Sequence, residues 1–262
     1  MMNKLPISVC LISGAEAHRI GDCLAGVKEW TREIIVVLNE DVADGTDKVV
    51  QAHGGQVFRE PWKGYVKQKA SASGKASQPW VLSLDADERV SDKLREELLS
   101  LFESSNNSPA CEAYRFPRSS FYCGRWLRHG DSYPDRVTRL WRKGAAEWVG
   151  QDIHERLEVK GRTGRLRGDL LHFSNESIDR QLAKITPFSN VYVARQMALN
   201  KNPGVLDLTI RPVWRFIRAY IFRLGFLDGW QGYYCAWVAA FSTLTRQVKV
   251  REARWRATLP RP

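Results

Sequence analysis

Asp85-Ala86-Asp87-Glu88 places three carboxylates directly after the apolar run Trp80-Val81-Leu82-Ser83-Leu84. Oxygen donors at that density suit Mg²⁺ or Mn²⁺, cations that take few protein carboxylates and complete their shell with water and phosphate oxygens. The chemistry that follows is that of a metal-bound diphosphate substrate. The same residues also fit an acidic turn before a helix, with Ser91 as its cap and Asp92 favouring its positive end. Asp152, His154 and Glu155 form the other dense cluster of proton-accepting groups. Such a group within hydrogen-bond reach of an attacking hydroxyl can remove its proton. The alternative for Glu155 is an exposed ion pair with Arg156, worth little to stability. His172, in Leu170-Leu171-His172-Phe173-Ser174, is a further candidate metal ligand, although a lone histidine after a strand is more often structural.

These groups need a scaffold that brings them to one rim. Strands are expected at 7–12, 34–38, 56–59 and 80–84, with helices at 18–29, 46–52 and 65–77 between them. That alternation implies a parallel sheet covered on both faces, with ligands beyond the carboxyl ends of the strands, where Ser13, Asn39 and Asp85 emerge. No Gly-x-Gly-x-x-Gly follows the first strand and no Walker loop occurs, so a metal must hold the phosphates. After a polar loop at 103–110, strands at 113–118, 137–141 and 156–159 read as a mixed β half that completes the site. Arg125, Arg128, His129, Asp131, Tyr133 and Arg139 lie in that half. Their guanidinium groups suit a phosphorylated or acidic ligand, and Trp126 and Tyr133 add aromatic surface beside them.

Composition narrows the class. A chain of 262 residues with 44% hydrophobic content can bury a sizeable core. The five cysteines are scattered and include no Cys-x-x-Cys pair, which argues against a disulfide framework or zinc knuckle and for a reducing, cytoplasmic compartment. The apolar run at 7–12 is too short for a secretory signal and reads as the first strand. Of the net charge of +11, residues 211–262 supply +8. Within them Arg211, Arg215 and Arg218 share one helical face and Trp214, Ile217, Ile221 and Leu224 the opposite one. The uncharged stretch 229–245, rich in aromatics and followed by Arg246, Lys249, Arg251, Arg254 and Arg256, falls short of the roughly 20 apolar residues of a spanning helix. Both segments fit the surface of an anionic membrane. Nucleic acid is an unlikely partner: no recognisable module accompanies the basic residues, and the aromatics sit on the apolar face.

Several blocks in one order resemble a known family. They are Ile7-Ser8-Val9-Cys10-Leu11-Ile12 with Glu16, Ile34-Ile35-Val36-Val37 with Asp44-Gly45-Thr46, Lys63-Gly64-Tyr65-Val66-Lys67-Gln68-Lys69, and Trp80 through Val90. Together they resemble family 2 glycosyltransferases of the GT-A fold. Tyr114-Arg115-Phe116-Pro117-Arg118, Cys123 through Gly130, and His154-Glu155-Arg156 are similar to the bacterial lipopolysaccharide core glucosyltransferases of the WaaE type. Two departures are Ala15, where many relatives carry Asn, and Leu38-Asn39-Glu40, where they read Asp-Ser-Gly.

The resemblance implies an α/β protein with a GT-A Rossmann-like mixed sheet flanked by helices and a C-terminal amphipathic helical appendage. The catalytic domain would be 1–175, with a nucleotide half at 1–102 and an acceptor half at 103–175, and 176–262 would form a basic, membrane-associating region. It further implies an inverting transfer, dependent on Mg²⁺ or Mn²⁺, of a sugar such as glucose from UDP-glucose to a lipopolysaccharide inner-core acceptor. The enzyme would work on the cytoplasmic face of the bacterial inner membrane. Alternatives are another sugar nucleotide, a polyprenyl-linked or other glycolipid acceptor, or a non-catalytic sugar-nucleotide-binding protein of a membrane assembly. By resemblance Asp87 is the direct metal ligand, with Asp85 nearer the ribose and the metal's waters. Glu16, Asn39, Gln68 and Lys69 contact the nucleotide, and Glu155 is the general base, with Asp152 and His154 as the alternatives.

Overall fold

The computed structural model describes residues 4–150, 155–175 and 177–259. The chain divides into two compact units, one of Met1–Arg118 with Arg136–His172 and one of Ser119–Asp135 with Phe173–Pro262. A division at residue 175 therefore misses one exchange: 119–135 groups with the C-terminal helices. That grouping joins segments remote in sequence, which hydropathy along the chain does not register.

The first unit opens with alternating strands and helices: β1 (Leu5–Ser13), α1 (Ile20–Ala25), β2 (Thr31–Asn39), α2 (Thr46–Ala52), β3 (Gln56–Glu60), α3 (Tyr65–Gly74) and β4 (Trp80–Ser83). A short β5 (Glu88–Val90) and α4 (Asp92–Ser104) follow. Then come β6 (Ala113–Tyr122), β7 (Arg125–Trp126), β8 (Asp135–Arg142), β9 (Ala146–Val149), β10 (Arg156–Val159), β11 (Thr163–Arg165) and β12 (Leu170–Asn175), of which β7 and the end of β6 belong to the second unit. The main sheet runs β3-β2-β1-β4-β8-β6-β12-β5, with β7 and β11 pairing β6, while β9 and β10 form a separate ribbon. Parallel pairing of β1 with β2 and β4 sets Val9 opposite Ile34 and Leu82, and β8 then pairs antiparallel to β4. The expected mixed α/β sheet is the one observed.

Both faces of the sheet are covered, which is why its central strands are apolar at nearly every position. Val9, Leu11, Val36 and Leu82 pack with Leu94, Leu98 and Phe102 of α4, whereas Cys10, Ile35, Val37 and Val81 pack with Ala72 of α3. The helix expected at 18–29 is shorter, because beyond Ala25 the chain continues in turns that Trp30 closes by donating Nε1–H to Gly26 O at 2.7 Å. Ser91 caps α4 as its sequence suggests, accepting Leu94 N–H at 3.2 Å.

The second unit holds α5 (Ile178–Ala198), α6 (Val205–Leu208), α7 (Ile210–Ile217) and α8 (Gly229–Thr258). The amphipathic pattern of 211–224 does not give one continuous helix: α7 passes into a π turn at Arg218–Phe222, and Leu224 has a left-handed backbone. Arg223 N–H donates to Arg218 O at 2.9 Å, stacking the two arginines so that both reach Asp131. Gly232 lets α8 lie against the turn that precedes it, since a Cβ there would fall 2.0 Å from Gly225 O. Among the described residues no helix is long and apolar enough to cross a membrane.

The cap generates a direct test. Ser91→Ala should lower the stability of the first unit by about 1 kcal/mol, and Ser91→Gly by less, in urea denaturation followed by circular dichroism.

Candidate active site

A cleft of about 750 Å³ opens in the first unit, lined by Ser13, Asn39 and Asp85 at the ends of β1, β2 and β4. This volume lies within the roughly 300–1,000 Å³ of small-molecule sites. The acidic turn between β4 and β5 is closed from both sides: Glu88 N–H donates to Asp85 O at 2.9 Å, and Asp85 N–H to Glu88 Oε2 at 3.0 Å. β5 then pairs antiparallel with β12 in a register that sets Glu88 opposite His172. The pairing carries His172 to the acidic turn, where its Nε2 lies 3.6 Å from Asp87 Oδ2.

The two aspartates have different surroundings. Asp85 Oδ2 lies 2.5 Å from Arg139 Nη2, and Asp85 Oδ1 lies 3.0 Å from Lys69 Nζ. Burial alone would raise the Asp85 carboxyl, but Arg139 and Lys69 hold it well below the usual carboxylate range. Arg139 also donates to Glu88 Oε1 at 2.9 Å; Glu88 is fully buried and meets Arg118 as well, at 3.3 Å. Burial works against the Arg139 charge, yet its two carboxylate partners raise its pKa above the ordinary arginine value. Asp87 is only partly covered. Burial would raise its carboxyl too, but the facing His172, with Arg19 at 3.8 Å, brings it below the ordinary aspartate value.

Lys69 joins the two chemical ends of the cleft. Its Nζ lies 3.0 Å from Glu155 Oε1 as well as 3.0 Å from Asp85, and 5.1 Å from the ring centre of Trp148. Glu155 and His172 both line the cleft, and so does Glu16, which is paired with Arg19. Asn39 lines it as well, with a buried Oδ1 that has no hydrogen-bond partner among the described residues. Gln68 is placed differently from the sequence reading: it is fully buried on the inner side of α3, where Oε1 accepts Lys63 N–H at 3.3 Å, and it does not line the cleft. Asp152 and His154 lie outside the described residues.

Sequence reading missed Arg19, Trp62 and Tyr65. The two rings meet edge to face at 4.9 Å on the cleft wall. Two aromatics set among Pro61, Lys63 and Gly64 were the available signal. The proposed acceptor cluster is divided. Arg139 braces the acidic turn, whereas the remaining members belong to the second unit. There His129 Nδ1 lies 2.9 Å from Asp228 Oδ1, Arg125 donates to Leu227 O at 2.9 Å, and Trp126 packs against Phe121 and Phe173 with ring centres 5.1 Å away.

The sequence matches the family model described as glycosyl transferase family 2 over residues 8–157. The chain belongs to glycosyl transferase family 2. The matched segment contains β1, the acidic turn, Lys69, Arg139 and Glu155. Among curated members, the lipopolysaccharide core biosynthesis glycosyltransferase LpsC of Rhizobium meliloti is 32% identical over 232 residues, covering 86% of this chain and 84% of that protein. An uncharacterized glycosyltransferase of Rickettsia prowazekii is 29% identical over 255 residues, covering 94% and 87%. Among solved structures, residues 1–349 of S. aureus TarS in complex with UDP-GlcNAc superpose with a TM-score of 0.51 at 14% identity, over 97% of this chain and 93% of that one. That likeness agrees with the GT-A fold of this family 2 chain.

The brace can be tested by itself. Arg139→Leu leaves the buried Glu88 without its nearest cation and should cost about 3 kcal/mol in urea denaturation.

Proposed function

We propose that the chain is an inverting, divalent-metal-dependent glycosyltransferase that moves glucose from UDP-glucose to an inner-core lipopolysaccharide acceptor. The observation that carries this reading is the 3.6 Å approach of Asp87 Oδ2 to His172 Nε2 on the wall of the same cleft that Glu155 lines. Carboxylate oxygen and imidazole nitrogen at that separation fit a shared cation, whereas Asp85 is committed to Arg139 and Lys69. Among the described residues no cluster of three or more His, Cys, Asp or Glu side chains could hold a metal ion. One carboxylate and one imidazole suit Mg²⁺ or Mn²⁺, which leave positions for substrate phosphate oxygens. Asp87 and His172 would hold the ion, which when bound supplies Lewis-acid stabilisation to the leaving diphosphate.

The chain's own groups account for the rest. Glu155 accepts the proton of the acceptor hydroxyl as its oxygen attacks the anomeric carbon, and the bond to the diphosphate oxygen breaks on the opposite side. Lys69 fixes the Glu155 carboxylate toward the cleft and ties its position to that of Asp85. Glu16, Asn39, Trp62 and Tyr65 supply polar and aromatic contacts for uridine. The similarity to LpsC supports a lipopolysaccharide acceptor, and the UDP-GlcNAc complex of TarS supports a UDP-sugar donor. Because the sugar in that neighbour is GlcNAc, UDP-GlcNAc is the second donor to screen.

The second unit supports attachment to the inner face of the membrane. Trp230, Tyr233, Trp237 and Phe241 follow one side of α8 and each is about half exposed, as are Trp214 and Phe222 before it. Aromatic side chains at helical spacing beside arginines suit the lipid headgroup boundary.

UDP release from UDP-glucose and a deacylated core acceptor should require Mg²⁺ or Mn²⁺, cease with chelator, and vanish in Asp87→Ala; donor binding without release would select the non-catalytic alternative. Glu155→Gln should reduce kcat about 10²- to 10⁴-fold while donor KM stays within about twofold, and undiminished turnover would shift the base to Asp152 or His154. Replacing Trp230 and Trp237 together by Ser should weaken flotation with anionic vesicles by about tenfold, and unchanged flotation would remove the attachment reading.

A further inference from the structure

The second unit contains a cavity that the transfer chemistry does not use. Two adjoining hollows of about 230 and 300 Å³ share Gln181, Arg215, Val238 and Ala239. The first is mixed, walled by His129 and the carboxylates of Asp131 and Asp228; the second is mostly apolar, walled by Ile185 and Phe188 and edged by Lys184, Arg215 and Arg246. A head-and-tail ligand matches the second hollow, which is apolar along its wall and basic at its edge.

Charge at the shared wall is unbalanced. Asp131 serves three guanidinium groups, with Arg215 Nε and Arg218 Nη2 at 2.9 Å and Arg223 Nη1 at 3.4 Å. Arg246 adds a further positive charge beside Arg215. Among the described residues Arg246 has no carboxylate partner: it donates to Ser242 O at 3.2 Å and Thr243 Oγ1 at 3.4 Å and lies 5.4 Å from the ring centre of Tyr192. Burial, and then repulsion from Arg218, Arg246 and Arg223, outweighs the pull of Asp131 and lowers the pKa of Arg215. Among the described residues the buried Nε of Arg218 makes no hydrogen bond. An incoming anion would relieve this repulsion.

We propose that the second hollow binds one anionic phospholipid, its phosphate between Arg215 and Arg246 and the start of an acyl chain along Ile185, Phe188, Val238 and Ala239. Guanidinium groups meet phosphate through paired hydrogen bonds, which accounts for the head. A free phosphate would satisfy the arginines but leave the apolar hollow without a partner. A zwitterionic headgroup would bring its own cation toward the guanidinium groups of Arg215 and Arg246. The proposal rests on the membrane attachment above, which brings the lipid to the groove, and it adds a discrete headgroup site to a general surface affinity.

The test uses dihexanoylphosphatidylglycerol below its micelle concentration, titrated calorimetrically into the whole protein. No bilayer or sugar transfer is involved, so failure of this site is distinct from failure of membrane attachment or of the transferase reading. The protein should bind this lipid about tenfold more tightly than dihexanoylphosphatidylcholine or glycerol phosphate. Arg246→Gln should weaken binding about tenfold. Ala239→Trp, which fills the shared wall without altering charge, should also weaken it. Arg256→Gln removes the same charge from an exposed site at the end of α8 and should leave binding unchanged. Equal affinity for the zwitterionic lipid, glycerol phosphate bound as tightly as the lipid, no effect of Ala239→Trp, or equal losses in Arg246→Gln and Arg256→Gln would each overturn the proposal.

Discussion

A chain of buried and half-buried charges organises the first unit: Arg118 to Glu88, Glu88 to Arg139, Arg139 to Asp85, Asp85 to Lys69, and Lys69 to Glu155. Taking such groups from water is costly, and each is tolerable only because its neighbour has the opposite sign. The arrangement uses Asp85 as an internal strut and leaves Asp87 beside the open cleft. Two carboxylates separated by one alanine thus have unlike duties. Position in the charge chain, more than residue type, separates them.

Much of the scaffold was legible because apolar runs announce parallel strands that are covered on both faces. The expected bounds of α2 at 46–52 and β10 at 156–159 agree with the structure, and the acidic turn stands where the sequence placed it. The limits lie in contacts between distant segments. Gln68 looks like a surface polar residue in a binding motif, yet the turn of α3 directs it inward, where Lys63 N–H satisfies its oxygen. Arg139 sits in sequence just beyond the arginine-rich stretch at 125–136, and only the antiparallel β4–β8 pairing brings it to Asp85. His172 was ambiguous for the same reason, since its neighbour across β5 is not encoded nearby.

The second unit shows how a charge pattern can mislead when read along one helix. Arg215 and Arg218, which their spacing places on one basic helical face, converge with Arg223 on Asp131, in a 3-10 turn at Gly130–Ser132 remote in sequence. The apolar part of the pattern keeps its exposure, so the aromatic surface and the arginine cluster perform separate tasks.

The pairing of β12 with β5 has a consequence for how the protein comes into being. The histidine that meets Asp87 belongs to one of the last strands of the sheet, and ordering it requires a long stretch of intervening chain to be in place. During synthesis, a ribosome-bound intermediate ending before β12 already carries β1 through β4 and the acidic turn, but not the imidazole. The emerging polypeptide therefore cannot assemble its carboxylate–imidazole pair prematurely; maturation of the pocket coincides with completion of the sheet.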